Sequence, residues 1–125
     1  TLPIFMDEKA LRKRVMKVVT DSTPVEDPKK PDQCNVFNLY KLFASEAQIK
    51  EMKTHYETGG YGYGQAKQTL FDTMMDYFKT ARSRYDTLMK NPAELHQYLS
   101  EGAIKARTVA TPSLSSIKKV IGIHN

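Results

Sequence analysis

The 125 residues predict an all-α fold, a bundle of four to five helices, from three observations. Apolar side chains recur three and four residues apart in each long segment, and no segment alternates apolar and polar residues as a half-buried strand would. Capping residues, glycines and prolines fall where such helices would start and stop. The composition also suffices for one core: 40% of the residues are hydrophobic, including five Phe, seven Tyr and six Met. A chain of this length reads as one domain, 1–125.

Asp7 can cap a first helix reaching about Val19, with Leu11, Val15 and Val18 as its apolar stripe. Lys9, Lys13 and Lys17 follow one another at four-residue steps on another face, either as a solvated surface or as part of a binding face. Residues 20–33 hold three prolines and four acids, which end the helix and make a long loop. Val36, Leu39, Tyr40 and Phe43 then line one side of a short, largely buried helix. Ser45 and Gln48 match the two positions of a capping box. The helix they open carries Ile49, Met52 and Tyr56, and Gly59-Gly60 stops it.

A fourth helix is expected from about Gln65 to Lys90, the longest stretch without a breaker. Its stripe includes Leu70, Met74, Tyr77 or Phe78, Ala81, Tyr85 and Leu88, with Leu70 and Phe78 expected in the core. Asn91-Pro92 supplies an N-cap followed by proline at the first helical position. Leu95, Leu99, Gly102, Ala103, Ala106 and Ala110 then form a stripe of small residues suited to close packing on another helix. Pro112 is expected to kink or end this helix, Ser113 to cap a last short one through Ile121, and Gly122 to close it.

Charge and cysteine usage narrow the function classes. Nineteen Lys and Arg against 14 Asp and Glu give a net charge of +5, which permits a nucleic-acid partner without identifying one. The excess is spread along the chain: residues 1–30, 65–92 and 93–125 each carry +2, and 31–64 carry −1. Any binding face must therefore be assembled in space. The single Cys34 excludes an internal disulfide and a cysteine-based zinc cluster, and a buried thiol fits it better than a nucleophile. No apolar run approaches the roughly 18 residues of a membrane span. A soluble, cytoplasmic protein with no membrane partner is expected.

Catalytic chemistry has no visible constellation. His55, His96 and His124 stand far apart without metal-ligand spacing and read as surface histidines. The one dense motif is Gly59-Gly60-Tyr61-Gly62-Tyr63-Gly64-Gln65-Ala66-Lys67, four glycines and two tyrosines just before a helix. Free N–H groups at a helix start suit phosphate, Tyr61 and Tyr63 could stack on bases, and Lys67 could reach a phosphate or base edge. It is neither a Walker loop nor a dinucleotide fingerprint. The alternative is a tight turn whose tyrosines pack on the core.

Several blocks, taken in order, resemble bacterial tryptophanyl-tRNA synthetases: RKRVMKVVTDS (12–22), the proline-rich acidic loop, NVFNLYKLF (35–43), GGYGYGQAK (59–67) and SEGAIKAR (100–107). The resemblance covers essentially the whole chain and is to the C-terminal helical, anticodon-binding portion that follows the KMSKS signature. Neither KMSKS nor a HIGH-type motif occurs in these residues, and Thr1 in place of methionine fits a portion of a longer protein. Thr111-Pro112 departs from the family pattern.

The resemblance implies a class I anticodon-binding fold and an intact enzyme that joins tryptophan to tRNA(Trp) using ATP with Mg²⁺. It further implies that this portion holds no cofactor and that its partners are tRNA(Trp) and the catalytic domain of the same enzyme, in a homodimer. Asp21, in TDS, and Lys67 resemble positions used near the anticodon. A carboxylate can accept from a cytosine amino group, and lysine can donate to a cytosine oxygen or a phosphate. The competing roles are a cap or loop-closing side chain for Asp21 and a solvated lysine for Lys67. A free-standing helical RNA-binding or scaffold module is the alternative for the whole chain, and the upstream reading frame would separate the two.

Overall fold

The computed structural model describes residues 2–123, and all of its regular structure there is helical. Six α-helices occur among them: α1 (Glu8–Met16), α2 (Asn35–Tyr40), α3 (Glu46–Thr58), α4 (Tyr63–Tyr77), α5 (Lys79–Lys90) and α6 (Pro92–Val120). A 3₁₀ turn, Pro31–Gln33, precedes α2. The chain forms two compact units, 1–83 and 84–125, whose boundary falls within α5.

In the first unit α4 packs on α1 and α2, and the 3₁₀ turn packs on α2 and α3. The core takes Leu11 and Val15 from α1, Val36 and Tyr40 from α2, Met52 and Tyr56 from α3 and Leu70 and Met74 from α4, as the stripes predict, and adds Phe37, Ala66 and Phe71, which they omit. Each large apolar side chain buried here contributes about 1.5–3 kcal/mol by leaving water. Cys34 is buried too, with Sγ 3.4 Å from the Tyr56 hydroxyl, as a structural thiol would be. Leu39 and Phe43, expected with the buried set, are half-buried.

The helix ends obey local chemistry. Asp7 Oδ1 accepts from the N–H groups of Lys9 and Ala10. Ser45 Oγ accepts from the Gln48 N–H while Gln48 Oε1 accepts from the Ser45 N–H, completing the capping box. Gly59 ends α3 at φ +79°, and a Cβ there would stand 2.3 Å from the Glu26 carbonyl oxygen, so the site requires glycine twice over.

The expected single helix from Gln65 to Lys90 is instead two. Phe78, at φ −93° and ψ 4°, separates α4 from α5 without any glycine or proline. Tertiary contacts hold this turn. The Phe78 ring lies 5.5 Å from Phe43, and Arg82 donates through its guanidinium to the carbonyls of Ile4 and Met6. Phe78 is consequently half-buried rather than core, a correction to the stripe, whereas Leu70 is fully buried.

In the second unit, Arg84 approaches Tyr98, with Nη2 3.4 Å from the hydroxyl and the guanidinium 5.8 Å from the ring centre. Asn91 caps α6 by accepting from the Glu94 N–H, with Pro92 at the first helical position as expected. Pro112 does not end the helix: α6 runs through it to Val120. Ser113 therefore lies inside the helix, its Oγ donating to the Val109 carbonyl at 3.3 Å instead of capping a new segment. Gly122 closes the segment at φ +75°. Of the small-residue stripe, Leu95 and Ala103 are half-buried and the rest are exposed. Nothing lies within 4 Å of a Cβ added at Gly102.

Truncation at the two aromatic and aliphatic positions should separate core from rim. Leu70→Ala should destabilise the first unit by about 2–5 kcal/mol, and Phe78→Ala by less than the roughly 3–5 kcal/mol of a fully buried Phe. Urea unfolding followed by tyrosine near-UV circular dichroism measures both. A larger loss at Phe78 than at Leu70 would contradict this packing.

Candidate nucleic-acid interface

The sequence-predicted residues Asp21, Tyr63 and Lys67 converge where the end of α1 meets the start of α4. Asp21 begins the loop after α1, and its Oδ1 accepts twice: from the Thr23 N–H at 2.9 Å, an Asx-type turn, and from the Tyr63 hydroxyl at 2.6 Å. One turn further along α4, Lys67 Nζ donates to the Met16 carbonyl at 3.2 Å. Two helix elements and a loop are thus tied together by two polar contacts, with a third bracing the loop itself. Asp21 is loop-closing in this geometry, and its carboxylate is exposed. Lys67 retains two further N–H donors.

The short Tyr63–Asp21 bond sets the electrostatics. The Tyr63 hydroxyl, followed by the Thr23 contacts, holds the exposed Asp21 carboxyl below its ordinary value. Burial and the Asp21 hydrogen bond push the Tyr63 phenol up to about 12. The bond, in which a neutral phenol donates to a carboxylate, lowers the one and adds to the burial that raises the other.

Tyr61 points elsewhere. Its hydroxyl lies 3.0 Å from Thr69 Oγ1, its ring stacks on His55 with centroids 5.2 Å apart, and it leans on Tyr56 at 5.9 Å. Tyr63 meets the same residue edge to face at 6.2 Å. Both tyrosines are half-buried, so packing accounts for much of each ring. The amides of the glycine motif are also used internally: Gly60 N–H donates to the Val25 carbonyl, and Gly62 N–H to Gln65 Oε1. His55 is exposed, 3.9 Å from Glu51, and His96 is exposed; His124 lies outside the described residues. No group of three or more His, Cys, Asp or Glu among the described residues could hold a metal.

Lys29 is the residue that sequence reasoning missed. It is 4% exposed, and its Nζ donates to the carbonyls of Pro24, Val25 and Asp27 at 2.8, 3.2 and 3.1 Å. The same ammonium lies 5.4 Å from the centre of the Tyr63 ring. The backbone joins in, with Lys29 N–H donating to the Tyr56 carbonyl at 2.6 Å. This cage folds the acidic, proline-rich loop back against α3 and the start of α4. A lysine within VEDPKK carries no local signature of burial; only the density of loop carbonyls around it in space provides one.

Tyr63→Phe removes the phenol donor, so the Asp21 carboxyl should titrate closer to the ordinary value of about 3.9. Because the folded pKa is depressed, Asp21 contributes stability above that ordinary value, and the contribution is lost as pH falls through the folded pKa. Carboxyl carbon chemical shifts across a pH titration read this directly. An unchanged Asp21 titration in the variant would contradict the bond. Lys29→Met should cost about 1.5–3 kcal/mol in urea unfolding, the range for hydrogen bonds from a charged group. A neutral effect would mean that the loop carbonyls find equal partners without it.

Comparison with known proteins places these residues in context. No family model matches the chain. It is 43% identical over 123 residues to a tryptophan–tRNA ligase of Campylobacter jejuni, covering 98% of this chain and 39% of that protein. A tryptophan–tRNA ligase of Rhodopirellula baltica is 38% identical over 124 residues, again across 39% of its length. Among solved structures, the crystal structure of Campylobacter jejuni tryptophanyl-tRNA synthetase complexed with ADP and tryptophan superposes at a TM-score of 0.87. That match covers 98% of this chain and 38% of the other. The chain spans 39% of the length of these relatives. In sequence and in fold, it is a relative of the tryptophan–tRNA ligases over that stretch.

Proposed function

We propose that this chain is the C-terminal helical portion of a tryptophanyl-tRNA synthetase and that it binds the anticodon arm of tRNA(Trp). The intact enzyme would attach tryptophan to that tRNA at the expense of ATP, as a cytoplasmic homodimer. ATP, its Mg²⁺ and the tryptophan pocket are assigned to the catalytic domain of that intact enzyme. The observation that carries this reading is the match to tryptophan–tRNA ligases across 98% of the chain.

The local geometry supports a role for the converging residues. With Oδ1 engaged by Thr23 and Tyr63, Asp21 is oriented before any ligand arrives, and its exposed carboxylate can accept from a base amino group. The low carboxyl pKa keeps it ionised at neutral pH. A cytosine N4 amino group satisfies such an acceptor, whereas uracil presents a carbonyl oxygen that a carboxylate repels. Lys67, one helical turn from Tyr63 and bonded to the Met16 carbonyl, supplies a cation for phosphate or a base oxygen. Tyr61 and Tyr63 offer ring edges to a splayed loop while their inner faces stay packed on Tyr56.

In the intact enzyme, Asp21→Ala should erode discrimination between cytosine and uracil at one anticodon position, worth about 1–3 kcal/mol in kcat/KM. Lys67→Ala should weaken charging of all anticodon variants equally if it meets phosphate, or only of cytosine-bearing ones if it meets a base edge. Tryptophan-dependent pyrophosphate exchange should be unchanged in both. Aminoacylation of single-base anticodon transcripts provides the measurement. Wild-type charging of every transcript by both variants would overturn the assignment.

A further inference from the structure

We infer that the solvent face of α1 is a phosphate-binding ridge, formed by Lys9, Lys13 and Lys17, that holds the sugar–phosphate backbone of the bound RNA. It rests on the reading of this chain as RNA-binding and adds a surface separate from the one that reads bases. Leu11 and Val15, at 1% and 0% exposure, fix the orientation of the helix. Lys13 lies about 160–200° around the axis from them, and Lys9 and Lys17 lie one turn to either side, a row about 12 Å long. All three side chains are exposed, and none bonds to another group among the described residues.

The distribution of charge around this row selects its partner. The acids of α1 are confined to its start: Asp7 is the N-cap and Glu8 lies in the first turn, where both complement the helix dipole. Arg12, at the edge of the row, is spent on Gln68, with Nε and Nη2 at 3.1 and 2.7 Å from Oε1, which fastens α1 to α4. Lys67 Nζ, on the Met16 carbonyl, adds a cation where the row ends, and so joins the ridge to the Asp21–Tyr63 pair. Glu51 lines the cleft between α3 and α4 beside His55, Asp76 lies along α4, and Asp72 accepts from the same Gln68 at 2.8 Å, beyond Arg12 at the edge of the row. A polyanion is therefore drawn to α1 and repelled from the cleft between α3 and α4. Lysines at one-turn spacing are point charges suited to phosphates rather than to base edges.

The test is binding of this chain to RNA hairpins with CCA or UCA anticodon loops, measured from low to high salt. Each lysine that releases a counterion contributes about one unit to the slope of log affinity against log salt. In the Lys9→Gln, Lys13→Gln, Lys17→Gln variant, the slope should fall by about two to three units, with affinity lost equally for both hairpins and their ratio retained. A control with the same charge change, Lys50→Gln, Lys53→Gln, Lys79→Gln, should leave the slope near that of the parent. Circular dichroism confirms that each variant is folded. An unchanged slope with the hairpin ratio intact overturns the ridge and leaves the base-reading proposal standing. An equal fall in the control overturns it as a mere net-charge effect, as does competition by polyglutamate as strong as that by RNA. If the parent binds neither hairpin at low salt, the RNA-binding reading fails and the ridge fails with it.

Discussion

The ammonium of Lys29 organises the loop on which the candidate site depends. A loop of three prolines and four acids has little apolar surface with which to fold, and its carbonyls must find donors. Three of them find the same Nζ, and the Lys29 backbone fastens to the end of α3 through Tyr56. Gly59 completes the arrangement because only a residue without Cβ lets α3 end against Glu26. With the loop held at that end, Asp21 and Thr23 form their turn at the other, within reach of Tyr63.

From this follows the use of the tyrosine-rich turn. Tyr56 is completely buried and serves as a common wall for Tyr61 and Tyr63. Packing and function need not compete here. The Tyr63 ring is held by Tyr56 and Lys29 while its hydroxyl orients Asp21, so a side chain that reads as structural also shapes an exposed acceptor. The basic face of α1 continues from the same corner, whereas the carboxylates of Glu51, Asp72 and Asp76 line clefts at α3 and α4.

Whatever depends on neighbours within one turn was legible in the sequence. The Asp7 cap, the Ser45–Gln48 box, the Asn91-Pro92 start and the Gly59 stop are decided by side chains two to four residues from the groups they satisfy. Leu11 and Val15 of α1 and Leu70 and Met74 of α4 follow from helical periodicity, whereas Ala66 and Phe71 join the core from outside the stripe. Phe78 was illegible because the break there is made by Phe43 and by Arg82 reaching Ile4 and Met6, residues far away in the chain. Pro112 failed in the other direction: a proline costs a helix about 3 kcal/mol, a strong local signal, yet α6 is helical on both sides and the proline is absorbed. In the candidate site, Asp21 and Lys67 could be singled out by residue type, but the bond from Tyr63 and the cage around Lys29 exist only once the loop has folded.

The central claim is that the corner formed by Asp21, Tyr63 and Lys67 is the surface that meets an anticodon. Backbone amide chemical shifts of the chain, recorded with and without a hairpin bearing the CCA loop, test it most directly. The account predicts that the largest changes fall on residues 20–23 and 61–67 and shrink when the loop is changed to UCA. Changes confined to the α3–α4 cleft or to α6, or identical for both loops, would contradict it.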